Sequence, residues 1–137
     1  MQIKNAQTIR HAELTLPKIL IVEDNEGIAD MLKELFQMIG YMCLVRRTAV
    51  DTLQLVKDYQ PSLVIVDYLL PEMNGGELCS QIKRDPATQH IPVILSSAYP
   101  RVLLSLGTYG SDAFISKPFN LDDLMRTIEQ LLEARIR

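Results

Sequence analysis

Residues 63–75 read LVIVDYLLPEMNG, an apolar run followed by a loop. Four consecutive apolar residues, continuous rather than alternating, are typical of a strand in a parallel sheet that is covered on both faces. The run ends in Asp67, an ionisable residue at the end of the most hydrophobic strand. Burying a carboxylate is costly unless other groups pair with it. We therefore expect the rest of the chain to bring such groups to this strand end.

Four further apolar runs of similar length lie along the chain: KILIV (18–22), YMCLV (41–45), PVILSS (92–97) and AFIS (113–116). Between the runs are segments with apolar residues at helical spacing. Strands that alternate with helices imply right-handed crossovers and a parallel sheet. Five such units predict an α/β fold, a flavodoxin-like doubly wound (βα)5 domain with a five-stranded parallel sheet of order 2-1-3-4-5.

Capping residues and helix breakers predict where the helices begin and end. The first helix is expected over residues 28–39, because Gly40 supplies a stop. Thr48 is expected to open the second helix, which must end before Pro61. Asn120 is placed to cap the last helix.

The composition limits the class of protein. At 137 residues the chain is long enough for one domain with a real core. Hydrophobic residues make up 47% and charged residues 23%, the balance of an ordinary soluble globular protein. The net charge of −3 argues against direct binding to nucleic acid. The sequence has no apolar stretch near the ~20 residues that span a bilayer and no secretory signal, so we expect a cytoplasmic protein without membrane insertion.

The N-terminal residues fall outside the alternating pattern. Residues 1–16 are predicted to be an arm, either frayed or forming an extra helix, and residues 17–137 the domain itself. The two cysteines, Cys43 and Cys79, sit among apolar neighbours. They could form one disulfide, but two buried free thiols in a reducing compartment fit the sequence better.

Acidic residues follow the first and third strands. Glu23 and Asp24 end the first strand, and Asp67 ends the third. In the predicted sheet these strands are neighbours, so three carboxylates converge at one crevice. Carboxylates that close repel one another and cannot all stay ionised unaided. Mg²⁺ is the natural remedy, because it prefers oxygen ligands and accepts one or two carboxylates while keeping exchangeable waters.

The fourth and fifth strands deliver further polar groups to the same edge. Ser96 and Ser97 end the fourth strand, and Lys117 follows the fifth. A site with acids, a metal, a hydroxyl and an ammonium suits phosphoryl transfer. In that chemistry the protein mainly positions groups and neutralises developing charge.

Over residues 17–135 the sequence resembles a response regulator receiver domain of two-component signal transduction. Four motifs carry the resemblance: ILIVEDNE for the acidic pair, VDYLLPEMNG for the phosphoacceptor loop, PVILSSA for the switch hydroxyl and FISKPF for the lysine. Each motif alone is weak, but the four occur in the family's order and at its usual intervals. The resemblance implies a phosphorelay protein whose Asp67 takes a phosphoryl group from the phosphohistidine of a histidine kinase.

The resemblance also implies which residues bind the metal. Asp24 would bind Mg²⁺ directly and Glu23 through a water. Asp67 and the backbone carbonyl of Leu69 would supply the remaining protein ligands. Glu23 stands where aspartate is commoner in the family, which leaves the metal affinity open.

The resemblance also implies that three residues take part in switching. Ser97 would hydrogen-bond to the phosphoryl oxygens, and Lys117 would pair with them. Phe114 occupies the position of the aromatic switch residue and would turn inward, with plain core packing as the alternative. These movements would shift an inactive–active equilibrium on the face built from the fourth helix, the fifth strand and the fifth helix.

The resulting prediction is a phosphorylation-controlled switch rather than an enzyme, with at most self-catalysed phosphorylation and dephosphorylation. The expected partners are a sensor histidine kinase or phosphotransfer protein and an unidentified downstream protein. Homodimerisation through the switching face is a further option. Whether the domain stands alone or belongs to a longer regulator stays open.

Two other classes of protein share features of this pattern. A phosphatase of the aspartyl-phosphate type usually needs a second acid two residues after the nucleophile, where this chain has Leu69. A flavodoxin-like electron carrier would need a hydroxyl-rich phosphate loop after the first strand, where this chain has EDNEG (23–27). Both differences favour the receiver domain.

The segment RVLLSLGTYGSDAF (101–114) departs from most receivers, because its predicted fourth helix is short and rich in leucine. We expect an exposed apolar patch for a dimer or partner there, with burial of all its apolar residues as the alternative. The residues concerned are Val102, Leu103, Leu104 and Leu106.

Leu69 and Tyr99 occupy the two positions that, by resemblance, border the approach of water to the phosphoryl group. Neither side chain offers an amide or carboxylate to orient that water, and both are bulky. Because positioning effects of this kind change rates by roughly a hundredfold, a long-lived phosphorylated form is predicted.

Overall fold

The five apolar runs form one parallel β-sheet in the computed structural model, which describes residues 16–99 and 107–136. The strands are β1 (Lys18–Val22), β2 (Met42–Arg46), β3 (Leu63–Asp67), β4 (Val93–Ser97) and β5 (Ala113–Ser116). Their order in the sheet is β2-β1-β3-β4-β5, and each neighbouring pair is parallel. The predicted fold class and strand order are confirmed.

The described part of the chain contains four helices: α1 (Glu26–Met38), α2 (Thr52–Tyr59), α3 (Gly75–Arg84) and α4 (Leu121–Ile136). Helix α4 corresponds to the fifth helix of the sequence prediction. The predicted fourth helix with its apolar patch falls on 100–106, and most of the N-terminal arm on 1–15, both outside the described residues. None of the described helices is long and apolar enough to cross a membrane.

Asparagine side chains cap the N-termini of α1 and α4. The Asn25 side chain accepts a hydrogen bond from the N–H of Ile28 at 2.9 Å. Asn120 accepts one from the N–H of Asp123 at 3.1 Å, which confirms the predicted cap of the last helix. Such caps satisfy N–H groups that have no partner within the helix and contribute about 1 kcal/mol each.

Helix α2 begins at Thr52, so the prediction that Thr48 opens it is wrong. The Thr48 side chain accepts from the N–H of Val50 at 3.1 Å, and its carbonyl accepts from the hydroxyl of Thr52 at 2.6 Å. Asp51 then adopts a left-handed backbone with φ 60°, which interrupts any helix from Thr48. Threonine therefore opens a turn here, in competition with helix formation.

Alternate strand residues contribute to two apolar layers, one on each face of the sheet. The layer beneath α2 and α3 includes Leu20, Val22, Val64, Val66, Leu78 and Ile82. The layer beneath α1 and α4 includes Ile19, Ile21, Leu32, Phe36, Ile65, Leu124 and Ile128. Each of these side chains is at most 2% exposed, and burying one stabilises the fold by roughly 1.5–3 kcal/mol. Because both faces are covered, the strand interiors are apolar and polar groups collect at the strand ends.

The two cysteines are free thiols, as predicted. Cys79 is buried beneath α3, and Cys43 is half-buried on β2. Burial raises the pKa of Cys79 to about 12 and that of Cys43 to about 11. Both thiols therefore stay protonated at neutral pH and act as small apolar side chains.

Candidate functional site at the carboxyl edge of the sheet

Backbone hydrogen bonds fix the residues that follow the strands at one edge of the sheet. The N–H of Glu23 donates to the Arg46 carbonyl at 2.9 Å. Two similar hydrogen bonds extend the pairing of β3 with β4 and of β5 with β4. The N–H of Tyr68 donates to Ser96 at 2.8 Å, and the N–H of Lys117 donates to Ser97 at 2.9 Å. The sheet itself therefore positions the predicted site residues.

Three carboxylates converge at this edge. Carboxylate oxygens of Glu23, Asp24 and Asp67 all lie within 4.8 Å of one another. Asp24 is exposed, whereas Glu23 and Asp67 are buried. The Lys117 ammonium lies 2.6 Å from Glu23 Oε1 and 3.2 Å from Asp67 Oδ2. The structure thus brings together four of the residues that the sequence predicted.

The charges of this cluster do not balance. Three ionised carboxylates and one ammonium leave a net charge of −2. Burial raises the pKa of Glu23, and the hydrogen bond from Lys117 lowers it again only in part. A divalent cation would cancel this surplus, and the available ligand atoms are the oxygens that Mg²⁺ prefers. The residues therefore fit the predicted metal.

The remaining predicted residues lie around the cluster. Ser97 is buried, and its hydroxyl oxygen accepts from the N–H of Tyr99 at 3.0 Å. The N–H of Leu69 donates to Asp67 Oδ1 at 3.3 Å, which holds the Leu69 backbone against the carboxylate. Leu69 is 56% exposed and Tyr99 64% exposed, and their part in limiting the approach of water stays a prediction.

Phe114 lies on β5, away from the charged cluster. It is half-buried and packs against the apolar layer beneath α2 and α3. The structure therefore records core packing for Phe114, and its switching role stays a prediction.

Two supporting residues were not singled out from the sequence. The N–H of Asn25 donates to Glu23 Oε2 at 3.2 Å, so the residue that caps α1 also fixes the second oxygen of Glu23. Gly75 packs where a Cβ atom would overlap the carbonyl of Asp67 and lie 2.7 Å from Val66 Cγ1. The sequence signal for Gly75 was the Asn-Gly pair that begins α3, because Asn74 caps that helix.

The family model described as the response regulator receiver domain matches residues 19–129. The chain belongs to the response regulator receiver family. Members of this family are signalling switches rather than classical enzymes. The assignment favours the receiver interpretation over the electron carrier and the phosphatase considered above.

Known proteins similar to this receiver domain differ in length. This receiver domain is 39% identical over 121 residues to Histidine kinase P4 of Formosa agariphila. The match covers 87% of this chain but 9% of the kinase. The domain is 33% identical to the polar-differentiation response regulator DivK of Brucella anthropi, covering 85% of this chain and 98% of DivK. The chain therefore spans a small part of one relative and nearly the whole of the other.

A solved structure with the same fold is that of the response regulator TrrA from Thermotoga maritima in complex with Mg²⁺ and beryllofluoride. It is 28% identical to this receiver domain, with a TM-score of 0.77, and the match covers 85% of this chain and 99% of TrrA. That complex contains Mg²⁺, the metal whose preferred oxygen ligands are present here.

Proposed function

We propose that this receiver domain is a phosphorylation-controlled switch in which Asp67 accepts a phosphoryl group with the help of Mg²⁺. The observation that carries the proposal is the unbalanced cluster, in which Asp67 and two further carboxylates lie within 4.8 Å of one another. Lys117 lies 3.2 Å from Asp67. A purely structural ion pair would not need this surplus of negative charge.

In the proposed reaction an oxygen of Asp67 attacks the phosphorus of the donor. The bond between phosphorus and the donor atom breaks, and its electron pair leaves with the donor, a histidine nitrogen or the carboxylate of acetyl phosphate. Glu23, Asp24, Asp67 and the Leu69 carbonyl would hold the metal. Bound Mg²⁺ supplies positive charge that offsets the charge on the transferring group.

Lys117 and Ser97 are proposed to bind the phosphoryl oxygens after transfer. The added group carries about −1.5 to −2 charges and offers new acceptor oxygens. Lys117 is already held beside Asp67, so it needs only a small movement to pair with them. The buried Ser97 hydroxyl would exchange its bond from Tyr99 for one to the phosphoryl group.

The consequence of phosphorylation is proposed to be altered binding of a partner or of a second copy. Phe114 and Arg126 line a groove of about 390 Å³ along β5 and α4, which supports a binding face there. The upstream partner would be a sensor histidine kinase or phosphotransfer protein. We also propose that the receiver unit extends over residues 17–137 and works in the cytoplasm.

The test is incubation with acetyl phosphate and Mg²⁺, followed by intact mass measurement. We expect a mass gain of one phosphoryl group, and no gain when the metal is chelated before the donor is added. Absence of any gain, with a folded protein and with several small phosphodonors, would reject the proposal.

A further inference from the structure

Two tyrosines from distant parts of the chain meet beside the phosphoacceptor loop. The hydroxyls of Tyr68 and Tyr109, separated by 41 residues, lie 3.2 Å apart. Their ring centroids are 5.8 Å apart with an interplanar angle of 47°. Tyr68 directly follows Asp67, and Tyr109 lies just before β5. The pair therefore joins the proposed site to the segment that leads into the last strand.

The backbone conformation of Tyr109 and its contacts with helix α3 hold its ring in this position. Its backbone is left-handed with φ 55°, a conformation that non-glycine residues seldom adopt. Its ring lies against Gly76 of α3, where a Cβ atom would come within 2.9 Å of three ring atoms. The Tyr109 carbonyl accepts from the Ser80 hydroxyl at 3.5 Å. Any side chain on Gly76 would thus push the ring away.

Tyr68 is anchored on the other side by its backbone. Its N–H donates to Ser96 at 2.8 Å, and its carbonyl accepts from Leu70 at 3.1 Å and from Gly75 at 2.9 Å. The next N–H, that of Leu69, donates to the carboxylate of Asp67. A phosphoryl group on either oxygen removes the negative charge of the carboxylate and weakens this bond, which bears on the loop that carries Tyr68.

We propose that Tyr109 is a positioning residue that transmits the state of Asp67, through the Tyr68–Tyr109 hydroxyl pair, to residues 107–112. This inference rests on the proposed phosphorylation of Asp67. The hydrogen bond with Tyr68 raises the pKa of Tyr109, so its hydroxyl stays protonated and able to donate at neutral pH. The side chain of Phe114 has no hydroxyl, so the tyrosine pair provides a polar connection that Phe114 cannot.

The alternative is that Tyr109 only fills the space above Gly76. A Tyr109→Phe variant separates the two roles, because it keeps the ring and removes the hydroxyl. Tyr68→Phe removes the partner hydroxyl in the same way. Tyr41→Phe is the matched control, since Tyr41 packs near Phe36, with ring centroids 6.1 Å apart, in the opposite apolar layer.

The experiment measures hydrogen exchange of residues 107–112 in the full chain, with Mg²⁺ alone and with Mg²⁺ plus beryllofluoride. In the wild type and in Tyr41→Phe, beryllofluoride should change the exchange rate by about fivefold or more, the lower end of coupling between sites. In Tyr109→Phe and Tyr68→Phe the response should be largely lost. Since coupling is reciprocal, both variants should also bind beryllofluoride with a changed Kd.

Gly76→Ala provides a second variant that keeps both hydroxyls but displaces the ring. It should lose the response to beryllofluoride as Tyr109→Phe does. A wild-type response in Tyr109→Phe would overturn the inference. So would the absence of any response in the wild type when acetyl phosphate labels Asp67. Failure to label Asp67 at all would instead reject the proposed function, so the two failures are distinguishable.

Discussion

Lys83 and Lys117 both form close ion pairs, but the surroundings of the two lysines differ. Lys83, on α3, lies 2.7 Å from Asp112 Oδ2. It also donates to the carbonyls of Gln89 at 3.2 Å and Ile91 at 2.9 Å. This set contains one ammonium and one carboxylate, and the two charges cancel.

Lys117 faces a different set of partners. It lies 2.6 Å from Glu23 and 3.2 Å from Asp67, and Asp24 belongs to the same cluster. One ammonium here meets three carboxylates, so negative charge is left over. A balanced ion pair holds elements together, whereas an unbalanced cluster of charges creates a site that attracts a cation.

The largest effect is expected when the nucleophilic carboxylate of the unbalanced cluster is changed. Asp67→Asn should abolish labelling by acetyl phosphate, because an amide has nearly the same shape but is not nucleophilic. Asp112→Asn, the matched control in the balanced set, should be labelled like the wild type. Intact mass measures both. Undiminished labelling of Asp67→Asn would show that the nucleophile is assigned to the wrong residue.

A second prediction tests whether the open side of the unbalanced cluster controls the lifetime of the phosphorylated form. Leu69 and Tyr99 are 56% and 64% exposed, and neither side chain offers an amide or carboxylate that could activate a water. A Leu69→Asn, Tyr99→Glu double variant should lose its phosphoryl group faster, by up to about a hundredfold.

The measurement is the decay of the phosphorylated fraction after removal of the donor. Met38→Asn is a suitable control, since Met38 is an apolar side chain, 81% exposed, on α1. If the double variant decays no faster than the wild type, these two side chains do not govern access of water.

The third prediction contrasts the two lysines directly. Lys83→Met should lower the free energy of unfolding by about 2 kcal/mol, because the half-buried Asp112 loses its partner. Mg²⁺ should stabilise this variant by the same amount as the wild type, so that the difference between the two remains. Lys117→Met should instead gain more stability than the wild type does at the same Mg²⁺ concentration, because the loss of the ammonium leaves more negative charge and lowers the Kd. The total gain is about 2–3 kcal/mol when Mg²⁺ is in hundredfold excess over that Kd.

Urea unfolding with and without Mg²⁺ measures these effects. Arg126→Met is the control, because the Arg126–Asp123 pair is largely exposed and such pairs contribute little. Equal responses of Lys83→Met and Lys117→Met to Mg²⁺ would contradict the distinction between the two sets.

The smallest effect concerns a third pair. Lys57 lies 2.9 Å from Asp85, and its hydrogen bond is the main cause that lowers the pKa of Asp85 below its ordinary value of 3.8. The stability that this shift contributes is present above pH 3.8 and is lost as the pH falls through the folded-state pKa. Lys57→Met should move the pKa of Asp85 up towards 3.8. An NMR titration of Asp85 measures it, and an unchanged pKa would contradict the assigned cause.

Local sequence patterns predicted most of the fold and the members of the site. The runs that became β1 and β5 were placed at their observed bounds, because continuous apolar residues identify strands that are covered on both faces. Asp67, at the end of such a run, predicted that the carboxyl edge of the sheet is acidic. The start of α2 was missed, because Asp51 adopts a left-handed conformation that the residue type does not require.

Only the folded structure sets which side-chain atoms make direct contact. Lys117 and Glu23 are 94 residues apart and Tyr68 and Tyr109 are 41 apart, and no local pattern encodes either contact. The longer Glu23 side chain lies 2.6 Å from the Lys117 ammonium and Asp67 lies 3.2 Å from it, a difference that the sequence did not predict. Sequence patterns record which residues are buried and where elements end, because those depend on neighbours along the chain. Distances between side chains on different elements depend on how the layers pack, and the folded structure sets them.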